Sequence, residues 1–125
     1  MGLFSFNKSS GNSDQKLNWT RIETTEELNR AINQTETVPG LFFKHSTRCG
    51  ISSMALSRFE KEWKETDACA LYFIDLIAHR DVSNTISEIT GIAHQSPQAI
   101  LIDQSKVIYS DSHSGIDAAI IQSKI

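Results

Sequence analysis

The chain has 125 residues, 39% hydrophobic and 22% charged, enough for one globular domain with a real core. Twelve Lys and Arg against 15 Asp and Glu give a formal charge of −3, with no basic block to track a phosphate backbone, so nucleic acid is not an expected partner. Apolar runs are only a few residues long, far short of the ~20 that span a bilayer, so no membrane segment is expected.

Met1-Gly2-Leu3-Phe4-Ser5-Phe6 begins like a myristoylation site, but Phe6 stands where Ser or Thr is required. A secretory signal would need a basic start and a longer apolar stretch. Asn7 to Lys16 is polar and turn-rich, so residues 1–17 read as a flexible tail and 18–125 as the folded domain. The expected setting is cytoplasmic, where a cysteine stays reduced unless it does redox work.

From Trp19 the pattern alternates between short β-type runs and helical ones. Trp19 to Ile22 predicts a short strand. Thr24 and Glu27 form a capping box ahead of the stripe Leu28, Ala31 and Ile32, which predicts a helix to about Asn33. Pro39-Gly40 breaks the chain before a strand from Leu41 to His45. Ile51 to Lys64 reads as a helix with Ala55, Leu56, Phe59 and Trp63 on one face and alternating Glu and Lys on the other. Ala70 to Ile74 is a continuous apolar run, the mark of a strand covered on both sides. A helix from about Val82 turns Ile86 and Ile89 inward and stops at Gly91. Ala99–Ile102 and Val107–Tyr109 flank a polar turn as a hairpin. Ser114 and Asp117 resemble a capping box for a last helix burying Ile116, Ala119 and Ile120. The order βαβαβαββα predicts an α/β three-layer sandwich on a mixed central sheet, ending in a β-hairpin and helix.

The chemistry is concentrated in Lys44-His45-Ser46-Thr47-Arg48-Cys49-Gly50-Ile51-Ser52, between a strand end and a helix start. Free N–H groups and the helix dipole favour an anion there, so a thiol at that point ionises more easily and becomes the nucleophile of disulfide exchange. Cys49 is the candidate catalytic residue, and Arg48, Gly50, Ile51 and Ser52 are the candidates for stabilising its thiolate. A Cys-x-x-Cys pair would resolve its own mixed disulfide. Here the second position is Ser52, which can hydrogen-bond a thiolate but forms no disulfide, so Cys49 must pass its adduct to an external thiol. Cys69, at the start of the Ala70 strand, falls at the opposite end of the sheet, about 20 Å away at ~3.3 Å per residue. It reads as a small buried apolar residue.

Ser96-Pro97 opens the hairpin. Proline at a strand's first residue has an ordinary explanation, since no ladder hydrogen bond is needed there. Together with a thiol at a helix start, however, it resembles the thioredoxin-fold proteins, in which a cis-proline loop faces the nucleophilic cysteine.

Over residues 19–123 the chain is more narrowly similar to the monothiol bacilliredoxins, the YtxJ-like group often labelled general stress proteins. Lys44 to Ser52 and His94-Gln95-Ser96-Pro97-Gln98 carry the likeness. The resemblance implies a thioredoxin-like α/β/α sandwich and removal of bacillithiol, or a similar low-molecular-weight thiol, from S-thiolated client proteins. That thiol would act as co-substrate, with no cofactor and no metal, on an expected monomer. By the same comparison, Thr47, Arg48 and Ile51 would line the thiol groove, and the Ser96 backbone before Pro97 would pair with the ligand. Gly50 departs from the group, which usually has proline there.

Lys44 could meet a ligand carboxylate, although a solvated lysine at a strand end is the plainer reading. His45 and His94 flank the motif pieces as candidates for proton handling, against an ordinary surface or hydrogen-bonded role. Two rival functions fit the same spacing: a glutaredoxin-like iron–sulfur cluster carrier, or a non-catalytic adaptor that keeps the fold.

Overall fold

The structure, a computed structural model, describes residues 17–125. The tail expected over residues 1–17 lies outside them except at Leu17, which packs against the core. Strand β1 is short, Thr20–Arg21, and leads into helix α1, Thr25–Gln34. The predicted capping box closes that helix start. The Thr24 hydroxyl accepts from Glu27 N–H at 3.1 Å, and Glu27 Oε1 accepts from the backbone N–H of Thr24 at 3.3 Å. Next come β2 (Gly40–His45), α2 (Gly50–Glu62), β3 (Ala70–Asp75) and α3 (Arg80–Thr90). Gly91, at φ +72°, ends α3 in the left-handed conformation that glycine adopts without a Cβ clash. Strands β4 (Gln98–Asp103) and β5 (Lys106–Ser112) form the hairpin, and α4 (Ala118–Ser123) follows a 3₁₀ turn at His113–Gly115.

The five strands lie in the order β1-β3-β2-β4-β5. β1, β3 and β2 run parallel, whereas β4 is antiparallel to β2 and β5 to β4, giving the expected mixed sheet. Gln104 and Ser105 both take positive φ in the hairpin turn, and their N–H groups are bound by Thr35 at the end of α1.

Alternation along β2 splits the core in two. Leu41 and Phe43 face α2 and α4, together with Ala55, Leu56, Phe59, Leu71, Phe73 and Ile121. Phe42 faces α1 and α3, with Leu28, Ile32, Ile74, Val82, Ile86 and Ile100.

Four predicted details differ. Glu60 is on the inner side of α2, accepting from the Trp19 indole N–H at 2.8 Å, not on a uniformly charged outer face. α2 stops at Glu62, and Trp63 turns extended while keeping its ring in the core. On α3 the inward residues are Val82, Ser83 and Ile86; continuing that row by four reaches Thr90, so Ile89 projects outward and is 48% exposed. The last helix starts later than the Ser114 box implies. The 3₁₀ turn occupies that segment, Asp117 is the N-cap with its carboxylate accepting from Ile120 N–H, and the buried pair becomes Ala118 and Ile121, with Ala119 and Ile120 exposed.

Phe59 is the hub of the α2-side core, with ring centroids 5.7 Å from Trp19, 5.6 Å from Phe43 and 5.2 Å from Trp63. Phe59→Ala should therefore lower the free energy of unfolding in urea by about 3–5 kcal/mol; a loss below ~1 kcal/mol would show that this cluster does not hold α2 to the sheet.

Candidate active site

β2 ends at His45, and four residues later Cys49 stands as the N-cap of α2. Its backbone is extended (φ −115°, ψ 119°), as an N-cap requires, and its N–H closes the turn onto Ser46 C=O at 3.2 Å. The side chain makes no capping hydrogen bond, and the residue is half-buried. No acidic residue occupies the first turn of α2, so nothing there opposes the positive end of the helix. Thr47, Arg48 and Gly50 are exposed around it, as are Ile51 (59%) and Met54 (73%).

Ser52 is completely buried, one helical turn beyond Cys49. Its hydroxyl accepts the Ser46 N–H at 3.0 Å and lies 2.7 Å from His45 Nδ1. These bonds tie the end of β2, the following turn and the first turn of α2 into one unit. His45 is itself buried against the Phe73 ring, at 5.6 Å between centroids. Burial lowers its pKa from the ordinary histidine value, with Asp75 pulling the other way and Arg21 adding to the decrease. Asp75 and Arg21 are absent from the sequence reading. Asp75 faces His45 because β2 starts one residue earlier than the sequence suggests, so Gly40 pairs with Ala70 and the register ends at His45 and Asp75.

Pro97, in a cis peptide bond with Ser96, precedes β4 at the same end of the sheet as Cys49, since Gln98 pairs with Lys44 near the end of β2. The loop before it is tied down by Gln98 Nε2 donating to Ala93 C=O at 3.0 Å and by the 3.3 Å contact between Ser83 Oγ and His94 Nδ1. His94 therefore engages α3. Burial, Lys44 and Arg80 all lower its pKa.

The solvated reading of Lys44 is wrong. Strand alternation turns it to the α1–α3 face, where it is fully buried and its Nζ has no hydrogen-bond partner among the described residues. Desolvation lowers its pKa to about 8.

Cys69 lies just before Ala70, which pairs with Gly40 at the start of β2, whereas Cys49 follows the other end. The six residues of β2 separate the two sulfurs by about 20 Å. Burial pushes the Cys69 thiol up to about 11. A groove of about 630 Å³ opens at that far end, lined by Leu17, Trp63, Cys69 and Tyr72 among others, and it is not lined by Cys49. Among the described residues no group of three or more His, Cys, Asp or Glu is placed to hold a metal ion, and no helix is long and apolar enough to cross a membrane.

The family model for the monothiol bacilliredoxin BrxC matches residues 20–121. The chain belongs to the monothiol bacilliredoxin family. Membership carries a thiol redox function, consistent with a single cysteine at the site. Solved structures place this bacilliredoxin in the thioredoxin fold. A thioredoxin-fold protein described as an oxidoreductase superposes with a TM-score of 0.74 at 24% identity, covering 86% of this chain and 94% of its own. Thioredoxins from Malassezia sympodialis and Fasciola hepatica each give 0.64, at 16% and 15% identity. They cover 83% and 84% of this chain, and 84% and 94% of their own.

Two predictions follow from the surroundings of the thiol. Lys44 in the folded bacilliredoxin releases its proton near pH 8, against 10.5 for the ordinary side chain. Between those values the unfolded chain binds the extra proton, so stability rises with pH; below about 8 the full cost of burying the charge is present. Lys44→Met should then stabilise the protein at pH 7 by on the order of 2–3 kcal/mol in urea unfolding, with the gain shrinking towards pH 10.5. A gain independent of pH would show that the amine is not the cause. Gly50 is the first residue of α2, a Cβ there meets nothing within 4 Å, and Cys49 already has the extended backbone that must precede proline. Gly50→Pro should raise stability by about 0.4–1 kcal/mol, and destabilisation would mean that the Gly50 N–H is needed.

Proposed function

We propose that Cys49 removes bacillithiol, or a similar low-molecular-weight thiol, from protein mixed disulfides. In the first step the Cys49 thiolate attacks the small thiol's sulfur. A Cys49–thiol disulfide forms, the client–thiol disulfide breaks, and the client leaves as a thiolate. In the second step an external thiolate attacks the same sulfur and Cys49 is released as the thiolate. Each step exchanges one disulfide for another, so no further oxidant or cofactor is required.

The observation that carries this reading is the half-buried Cys49 at the start of α2, with a buried serine where an internal resolving sulfur would be. Exposed Ile51 and Met54 beside it offer apolar contact to a client, while the backbone of Ser96, at the same end of the sheet, offers polar pairing to a peptide-like thiol. Arg48 and Thr47 are the exposed polar residues of the same rim. A reducing cytoplasm would supply both the clients and the second thiol.

The test is single-turnover transfer from a protein carrying a bacillithiol mixed disulfide, followed by intact-mass spectrometry. Cys49→Ser should abolish transfer, and Cys69→Ser should stay within about twofold of the parent, as expected for an inert buried thiol. Transfer that survived Cys49→Ser would refute the proposal. An adduct that formed equally fast from a glutathione mixed disulfide would remove bacillithiol as the preferred thiol.

A further inference from the structure

The Ser52 hydroxyl has one proton and two lone pairs. One lone pair is fixed, because it accepts the Ser46 N–H at 3.0 Å. The other partner is His45 Nδ1 at 2.7 Å, a nitrogen that accepts a proton in one state and donates in another. With neutral His45 carrying its proton on Nε2, Ser52 donates to Nδ1 and has no proton left to give. With His45 doubly protonated, Nδ1–H donates to Ser52 Oγ. Both lone pairs are then occupied, and the hydroxyl proton must find another acceptor. Side chains at the N-cap and at the third residue of a helix meet over its first turn, which puts the Cys49 sulfur among the acceptors the freed hydroxyl can turn to.

We propose that His45 is a positioning residue for the Cys49 thiolate: neutral, it holds the Ser52 hydroxyl away from the sulfur, and protonated, it turns that hydroxyl towards it. The 2.7 Å contact fits either direction of the His45–Ser52 hydrogen bond, and among the described residues the Ser52 hydroxyl has no hydrogen bond to Cys49, the arrangement that the first state calls for. The groups that face His45 set the balance. Asp75 on β3 favours the protonated form; Arg21 on β1 and burial under the sheet–helix packing oppose it; Phe73 and Ser52 are neutral. Mild acid therefore recruits a hydrogen bond to the thiolate as acid begins to remove it, so exchange falls less steeply with pH than for an unassisted thiol. The inference rests on the reading of Cys49 as the working nucleophile.

The proton's position can be seen directly. Long-range ¹H–¹⁵N correlations of the imidazole rings in the ¹⁵N-labelled full chain at pH 7.5 should show His45 protonated on Nε2 alone; a proton on Nδ1 would overturn the proposal. Iodoacetamide alkylation from pH 5 to 9, in a Cys69→Ser background, supplies the second measurement. His45→Leu frees the hydroxyl permanently and should speed alkylation at pH 7 about threefold to tenfold, the gain from one hydrogen bond to a charged group reduced by the lower nucleophilicity of the stabilised thiolate. Adding Ser52→Ala should erase that gain, and a gain that persists without the hydroxyl would also overturn the proposal. Neither measurement uses a mixed-disulfide substrate, so the expected results with a chain that transfers no bacillithiol would sink the proposed function and leave the role of His45 standing.

Discussion

A single buried hydroxyl holds the active end of this protein together. Ser52 sits in the first turn of α2 with no exposure to solvent, and a polar group in that position must be hydrogen-bonded or it destabilises the fold. Its partners come from the last residue of β2 and the residue after it, so one side chain fixes the exit of the strand and the entry of the helix. Cys49 lies between these anchors and inherits its position from them. The serine thus has two effects: it denies the chain an internal disulfide, and it makes the helix start rigid enough to present a lone sulfur.

The two faces of β2 meet different demands within two residues. His45 looks towards α2 and finds a hydrogen-bond partner; Lys44 looks towards α3 and finds none among the described residues. A buried, unpartnered amine costs stability, so its presence beside the site is a local departure from what packing alone would choose. Gln98, its neighbour across the ladder, uses one end of its amide to hold the loop that leads to Pro97. Polar residues under this loop therefore act on its placement, while the aromatic cluster around Phe59 supplies the cohesion on the other face.

Much of this was legible in the sequence, for identifiable reasons. The Thr24–Glu27 box, the Gly91 stop and the apolar strand at Ala70 are local signals that the fold keeps. The same holds for the lone Cys49 at a strand-to-helix turn. What escaped was set by distant partners. Glu60 goes inward because Trp19, far away in sequence, offers an indole N–H. Lys44 is buried because its place in the alternation of β2 turns it to the covered α1–α3 face, which its charge does not reveal. The start and the inner face of the last helix were misplaced because a 3₁₀ turn with His113 at positive φ intervened and left Asp117 as the N-cap. His45 was singled out as a motif neighbour, but its link to Ser52 depends on how the turn folds back.

The distance between the two sulfurs has a kinetic meaning. Cys69 is sealed in the far end of the sheet, so an adduct on Cys49 has no escape within the molecule. On the chemistry proposed above, its lifetime would be inversely proportional to the concentration of free thiol around it. Where that pool is plentiful the protein would turn over; where it is depleted the adduct would accumulate. On the proposed chemistry, the fraction of chains carrying an adduct becomes a running measure of the thiol reserve of the surrounding medium.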